Sequence, residues 1–287
     1  MPELPEVETI KKDLEKIILG KRIKKVEVRK KKIVRGNASE FIKKMEGRKF
    51  IKISRAGKLL IFYLSNGLFL LTHLKMTGQL IYKKKEKITA GGHKISDSDL
   101  KDLPNKYSHI IFSFSDNSRL FFNDMRQFGY MKLVNEKEKM AVEEKYGLDP
   151  LSPAFTKKSF LKLLENKKGK IKAVLMNQGL IAGIGNIYAD EICFEAKVRP
   201  DRKLESLTKK EKEKIFLLCQ SILKKAIKHK GTTFRDFRNS DGHPGGFAKF
   251  LKVYQKEKKL CPRCRKSKIE KMKVGGRGTR FCPNCQK

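Results

Sequence analysis

Cys261-Pro262-Arg263-Cys264 and Cys282-Pro283-Asn284-Cys285 are two CxxC knuckles separated by 17 residues. Each knuckle brings two thiolates near one point, and four thiolates at this spacing suit one tetrahedral Zn²⁺. With all four positions taken by protein, such a metal is structural, because catalysis by a metal needs an open position. The 27 residues from Cys261 to Lys287 are too few to fold on an apolar core, so metal binding supplies the folding energy. They hold nine Lys and Arg against one acid, Glu270. Gly275-Gly276-Arg277-Gly278 reads as a hairpin tip carrying an arginine, which reaches a phosphate or a groove easily. Cys193 and Cys219 lack partners at ligand spacing and read as buried apolar residues.

A second chemistry lies in Met1-Pro2-Glu3-Leu4-Pro5-Glu6. A small residue after Met1 permits removal of Met1, which exposes a secondary amine at Pro2. An α-amine titrates near about pH 8, so much of it is neutral and nucleophilic at neutral pH. Attack by that amine on an aldehyde-level carbon gives an iminium, the electron sink of Schiff-base catalysis. Glu3 sits beside the amine, and Glu6 lies one helical turn on, on the same face. Taken alone, the string is a weak signal and reads first as a helix start whose acids favour the helix dipole.

These residues need a scaffold. Val7, Ile10, Leu14, Ile17 and Ile18 recur at helical spacing and predict one helix over 3–19. Pro5 suits its first turn and Gly20 its stop. From 22 to about 134 the pattern turns to short apolar runs, such as Lys58–Leu64, Leu68–Leu74, His109–Phe114 and Leu120–Asn123. Turn signals separate them, Ser65-Asn66-Gly67 and Ser115-Asp116-Asn117-Ser118 among them, which predicts a β-sandwich or barrel. The polar stretch 84–106 reads as a loop with little core. A Gly/Asp/Pro cluster at 147–153 marks a linker. Beyond it the pattern is helical over Phe160–Leu164, Ile171–Met176, Ile187–Phe194 and 208–229. Residues 231–249 read as a long loop. The expected class is multi-domain α+β: an N-terminal helix plus β-sandwich, a C-terminal helical domain and a terminal β-hairpin zinc finger. The expected boundaries are 1–135, a linker at 136–150, then 151–250 and 251–287.

The composition holds 68 Lys and Arg against 31 Asp and Glu, a formal charge of +37. Mixed signs suffice for solubility, so this surplus points to a polyanion, with nucleic acid first. Lysine drift in an AT-rich genome accounts for part of it. Residues 1–20 lack the basic start and apolar run of a secretory signal, and no stretch approaches a membrane span. A cytoplasmic location follows as an expectation, in which six cysteines serve as metal ligands or free thiols rather than disulfides.

The chain resembles a family, the bacterial formamidopyrimidine-DNA glycosylases, which also excise 8-oxoguanine. The resemblance begins in Pro2-Glu3-Leu4-Pro5-Glu6-Val7-Glu8-Thr9 and continues through Gly57-Lys58-Leu59-Leu60 and His73-Leu74-Lys75-Met76. It runs on through Asp124-Met125-Arg126-Gln127-Phe128-Gly129, Gly147-Leu148-Asp149-Pro150-Leu151 and Ala182–Glu191. Asp241-Gly242-His243-Pro244-Gly245 and the cysteine quartet close it. The blocks are in order and span the whole chain.

The resemblance implies that Pro2 attacks C1′ of the damaged nucleotide and that Glu3 moves protons near the sugar, with Glu6 in support. Lys58 is implied as proton donor for β-elimination, and Arg277 as a phosphate contact that assists δ-elimination. The base must leave the stack first. Met76 and Phe128 are implied as wedges in the void, and Arg126 as the donor to the orphaned cytosine. Asn186 opens a helix of the implied helix–two-turn–helix motif, on DNA phosphate. Gly183-Ile184-Gly185 follows no strand, so a dinucleotide fold is rejected. Lys168 and Lys172 are placed along the backbone and His73 near the lesion phosphate. A loop at about 235–249 covers the extruded base, with Tyr254 after it.

Three positions depart from the family pattern. Tyr107 stands where His is usual at a DNA contact, Gln255–Leu260 replaces the usual entry to the finger, and Phe194–Lys197 alters a helix end. The expected partner is damaged double-stranded DNA, bound by a nucleoid-associated monomer with one structural Zn²⁺ and neither membrane nor small-molecule cofactor. An endonuclease VIII-type enzyme for oxidised pyrimidines is the nearest alternative; Leu4 and the Met76, Arg126, Phe128 set argue against it. A non-catalytic zinc-finger binder would explain charge and cysteines, but not Pro2, Glu3 and Lys58.

Overall fold

The computed structural model describes residues 1–85, 87–92, 100, 102–232 and 246–287. The chain divides into two compact units, Met1–Glu143 with His229–Ala248, and Glu144–Lys228 with Lys249–Lys287. This cuts the chain differently from the expected boundaries. The segment His229–Ala248 groups with the N-terminal unit, and the finger groups with the helices. The expected linker also holds a helix, Glu136–Glu143.

In the first unit, helix α1 spans Leu4–Ile18, close to the predicted 3–19. Gly20 follows at φ +77°, a left-handed turn that glycine adopts without steric cost. Among the described residues, nine strands form two antiparallel sheets. One has the order β1 (Ile23–Val28), β7 (Ser108–Phe114), β8 (Arg119–Asp124), β5 (Gly78–Lys84), β6 (Lys87–Gly92). The other has β2 (Phe50–Ala56), β3 (Leu59–Leu64), β4 (Phe69–His73), β9 (Tyr130–Val134). Helix α2 (Ala38–Met45) packs beside β1, and α3 is Glu136–Glu143.

The period of two decides which side chains meet. Ile110, Phe112 and Phe114 of β7 and Leu120 and Phe122 of β8 point into the main core. Ile111, Phe121 and Ile81 point the other way and form a second, smaller cluster. Phe50 anchors the main core, with ring centroids 5.4 Å from Phe62, 6.1 Å from Phe112 and 6.2 Å from Phe114. Truncating a buried phenylalanine of this kind costs about 3–5 kcal/mol.

The stretch 84–106, expected to be loop, differs in part. Lys87–Gly92 pairs with β5, and Ile88, Ala90, Leu100 and Leu103 cover the smaller cluster. Its polar composition hid four apolar residues spread among lysines. Gly91 in this strand is a close-approach position: a Cβ there would sit 2.7 Å from Ile10 Cγ1 of α1.

The second unit has four helices: α4 (Lys157–Leu164), α5 (Ile171–Met176), α6 (Asn186–Ala196) and α7 (Lys209–Lys228). Phe155, Phe160 and Phe216 cluster at 5.2–5.7 Å and hold α4 against α7. Helix α6 is buried nearly all round, so it shows no amphipathic face. Cys193 and Cys219 are fully buried, in agreement with the apolar reading. The hairpin β10 (Glu270–Val274) and β11 (Arg277–Phe281) ends the chain. Among the described residues, no helix is long and apolar enough to cross a membrane.

Candidate active site and nucleic-acid interface

In the first unit the start of α1 is fixed by its own acids. Glu3 and Glu6 are buried, while Pro2 is half-buried. The backbone N–H of Glu3 donates to Glu6 Oε2 at 2.9 Å. Glu6 Oε1 accepts from the backbone N–H of Thr232 at 2.7 Å and from its hydroxyl at 3.0 Å. Arg55 of β2 donates to Glu8 at 2.7 Å, with both side chains largely buried, and ties α1 to the sheet. The same guanidinium reaches the carbonyl of Gly57 at 3.4 Å, in the turn that presents buried Lys58 at the head of β3.

His73 ends β4, paired with Tyr130 of β9. Its Nδ1 accepts from the backbone N–H of Lys75 at 3.0 Å. Burial, then the charges of Lys75, Lys58 and Arg35, push its pKa down to about 3. A neutral ring with Nδ1 occupied as acceptor carries its proton on Nε2, as a hydrogen-bond donor. The Arg35 guanidinium stacks 3.5 Å from the Tyr130 ring centroid, adding a cation beside the same ring. Arg35 was missed in the sequence; it lies outside every quoted block, and only the fold brings it to His73.

Met76 and Phe128 are exposed, at 39% and 53%. Large apolar side chains left in water on tight loops are what an intercalating wedge requires. The Arg126 guanidinium lies 4.7 Å from the Phe128 ring centroid. Tyr107 is half-buried; its backbone N–H donates to Asn105 Oδ1 at 2.9 Å and its carbonyl accepts from Asp124 at 3.1 Å.

In the second unit Asn186 opens α6, with Gly185 as N-cap. Its Nδ2 donates to the Gly278 carbonyl of the terminal hairpin at 3.1 Å. Lys168 is exposed in the loop before α5. Lys172, expected along a DNA backbone, is corrected by the structure: it is fully buried. Its Nζ lies 2.7 Å from Asp190 Oδ1 and donates to Thr279 Oγ1 at 2.7 Å and the Gly278 carbonyl at 3.3 Å. Asp190 Oδ2 accepts from the Arg280 N–H at 3.0 Å. Burial pushes Asp190 up and Lys172 down, toward the neutral forms of both. Lys168 sits among lysines, whereas Lys172 lies inside the apolar run Ile171–Met176, a local sign that separates the two.

Buried Glu191 accepts from the backbone N–H groups of Lys252, Val253 and Tyr254 at 2.9–3.0 Å. Half-buried Tyr254 lies under the Arg280 guanidinium, 4.6 Å from its ring centroid. Gly275 and Gly276, at φ +55° and +73°, make the primed turn of a tight hairpin, and exposed Arg277 follows them at the start of β11. The loop expected to cover the base falls mostly on 233–245, outside the described residues, as does the block Asp241–Gly245.

The four cysteine sulfurs lie within 4.8 Å of one another. Cys261 and Cys285 are 3.7 Å apart at sulfur, and Cys264 and Cys282 are 3.8 Å apart. A tetrahedral Zn²⁺ with bonds of about 2.3 Å requires sulfur separations of about 3.8 Å, so the quartet fits the ion. Backbone N–H groups of Lys266 and Ser267 lower the Cys264 pKa, as a thiolate ligand needs. Phe194, Val253 and Ile269 pack on Cys261 and Cys282 and seat the finger on α6.

Comparison with known proteins covers the chain end to end. Residues 1–131 match the formamidopyrimidine-DNA glycosylase N-terminal domain, 146–238 its H2TH domain, and 258–287 a zinc finger found in FPG and IleRS. The formamidopyrimidine-DNA glycosylase of Listeria monocytogenes is 42% identical over 291 residues, covering 100% of both chains. That of Pelotomaculum thermopropionicum is 40% identical over 290 residues, covering 100% of this chain and 99% of the relative. The Lactococcus lactis enzyme in complex with abasic-site DNA superposes with a TM-score of 0.87 at 33% identity, covering 99% of each chain. A mutant of that enzyme in complex with Fapy-dG DNA gives 0.87 at 33% identity over 100% of both. Three domain models met in order and this identity along the full length leave one assignment: the chain belongs to the formamidopyrimidine-DNA glycosylase family.

Proposed function

We propose that this chain excises oxidised purines, 8-oxoguanine and formamidopyrimidines, from duplex DNA and then cuts the strand through a Schiff base on Pro2. The observation that carries the reading is the fixed start of α1. Glu6 holds the Glu3 backbone, so the residue before Glu3 cannot wander. Once Met1 is removed, the neutral Pro2 amine attacks C1′ and the glycosidic bond breaks. Its electron pair leaves with the base, which takes up a proton, and the sugar ring opens to an iminium at C1′. The iminium acidifies C2′. Loss of a C2′ proton expels the 3′ phosphate, and a second elimination expels the 5′ phosphate, leaving a one-nucleotide gap. Hydrolysis of the last imine returns the amine.

Glu3 moves protons at the sugar, Lys58 donates one for the first elimination, and Arg277 contacts phosphate and assists the second. His73, as a neutral Nε2–H donor, binds a phosphate oxygen without competing for protons. Met76, Phe128 and Arg126 fill the space the extruded base vacates. Lys168, Asn186, Tyr107 and Tyr254 contact the backbone. Zinc, when bound, supplies folding energy to the finger and takes no part in these steps. The protein acts as a cytoplasmic monomer with no small-molecule cofactor.

Borohydride trapping on duplex carrying 8-oxoguanine opposite C tests the mechanism. The native chain should trap covalently and Pro2→Gly should not. Equal trapping by both, or none by either, refutes the Schiff base. Faster cleavage of thymine glycol than of 8-oxoguanine refutes the substrate class.

A further inference from the structure

Asp124 is the last residue of β8 and is fully buried. Its Oδ1 accepts from the Thr77 hydroxyl and, at 3.2 Å, from the backbone N–H of Arg126. Its Oδ2 accepts from the backbone N–H of Gly129 at 2.6 Å. Thr77 closes the arrangement, because its oxygen also accepts from the Arg126 N–H at 3.0 Å. Through its own backbone, Asp124 donates to the Tyr107 carbonyl at 3.1 Å and accepts from His109 Nε2 at 2.7 Å. One buried residue thus joins three segments, 75–77, 107–109 and 126–129.

A carboxylate that only shaped its own turn would bind residues 126 and 129 and stop there. The bond to Thr77 goes further: β5 and β8 pair with Gly78 opposite Asp124, and the carboxylate uses that register to tie the loop entering β5 to the loop leaving β8. Thr77 follows Met76, and Arg126 and Phe128 lie on the other loop. Both loops contain a left-handed residue that is not glycine, Lys75 at φ 49° and Gln127 at φ 55°. Such conformations persist only where surrounding bonds hold them.

We propose that Asp124 is the positioning residue that fixes the two void-filling loops in one register, so that Met76 and Arg126 enter the DNA stack together. The proposal rests on the reading of Met76, Arg126 and Phe128 given above. The second acceptor oxygen matters as well as the shape. Three donors converge on the two oxygens, so an asparagine would turn an amide donor toward a donor and leave a buried N–H or hydroxyl unsatisfied.

Asp124→Asn and Thr77→Val are compared with Thr77→Ser, which keeps the hydroxyl, and with Arg126→Ala. Two activities are read for each: excision of 8-oxoguanine opposite C and opposite A in duplex, and strand cleavage at an abasic site in single-stranded DNA. The single-stranded reaction needs Pro2 but no void filling, so it reports intact folding and chemistry. Asp124→Asn and Thr77→Val should lose roughly tenfold to a hundredfold of duplex excision opposite C, and with it the discrimination against A, as Arg126→Ala should. Single-stranded cleavage by Asp124→Asn and Thr77→Val should stay within about twofold of native, and Thr77→Ser should restore the duplex reaction. If Asp124→Asn and Thr77→Val keep native discrimination while Arg126→Ala loses it, the positioning role is wrong. It is also wrong if both activities fall together in a folded Thr77→Val protein. If Arg126→Ala itself keeps native excision and discrimination, the void-filling assignment fails and the proposal falls with it.

Discussion

Glu6 Oε1 lies 2.7 Å from the backbone nitrogen of Thr232, 226 residues along the chain, while its other oxygen holds the backbone N–H of Glu3. Gly231 makes this contact possible. It sits at φ +84°, and a Cβ there would come within 2.7 Å of the same Glu6 oxygen. One carboxylate therefore fixes both the start of α1 and the segment that returns to it.

Gly231→Ala should lower stability by about 1–3 kcal/mol, because strain and clash act at one residue. Thermal melting should show a drop of several degrees. Thr232→Val keeps the backbone bond and loses only the hydroxyl, so it should cost about 1 kcal/mol. Glu6→Gln has one carbonyl oxygen for donors that now use two, and should reduce borohydride trapping about tenfold or more. Trapping yields equal to native for Gly231→Ala and Glu6→Gln would show that the start of α1 does not need this anchor.

His73 gives a pH signature. Its folded pKa, pushed down to about 3 by burial and by Lys75, Lys58 and Arg35, lies below the unfolded value of 6.5. Between these values the unfolded chain binds more protons, so stability rises with pH across this window. The contribution is fully present above about pH 6.5 and is lost as pH falls toward about 3. Replacing His73 with Gln should flatten the slope of unfolding free energy against pH between about pH 4 and 6.5 by up to about 1.4 kcal/mol per pH unit, as read from denaturant unfolding at each pH. In the native chain the His73 ring resonance should not titrate above about pH 4. A titration midpoint near 6.5 would make His73 an exposed imidazole and remove it as a fixed donor.

Much of the scaffold was legible because its cause is local. Helix α1 follows from apolar spacing, and β7 and β8 follow from period-two runs between turn residues. The four cysteines announced their own site, since only metal binding explains that spacing in so small a unit. What was not legible depends on distant segments meeting. The β6 strand carries few apolar residues, and Gly91 has meaning only against Ile10. Arg35 stacks on Tyr130, and Asp124 bonds Thr77, with no trace of either partnership in nearby residues. Lys172 was misplaced in part for the same reason: its apolar run was a local sign, but its partners Asp190 and Thr279 are distant in sequence.

Zinc removal should act on the finger as a folding event. Two of the sulfur pairs lie at the separation a tetrahedral ion requires, and the apolar cluster packed on the cysteines is small, with Phe194, Val253 and Ile269 at its centre. Metal analysis should return one zinc per chain. Cys282→Ser, or treatment with a strong chelator, should release it and unfold β10 and β11, since apparent zinc binding in such units is worth about 10–16 kcal/mol. DNA affinity should then fall while unit 1 keeps its own melting transition. A chelated protein with native affinity would make the metal dispensable.

Lys172 and Lys168 separate a buried lysine from an exposed one by two measurements. Lys172→Ala leaves Asp190 buried without its partner, which should cost about 3–5 kcal/mol of stability. The pair of changes Lys172→Met and Asp190→Leu should recover most of that loss, because the uncompensated charge is gone. Lys168→Ala should leave melting unchanged and reduce the slope of log affinity against log salt by about 0.9, the share of one phosphate contact. The double variant at 172 and 190 should keep the native slope. If its slope falls by the same amount, the Lys172 ammonium reaches a phosphate in the complex, and its partnership with Asp190 must break on DNA binding.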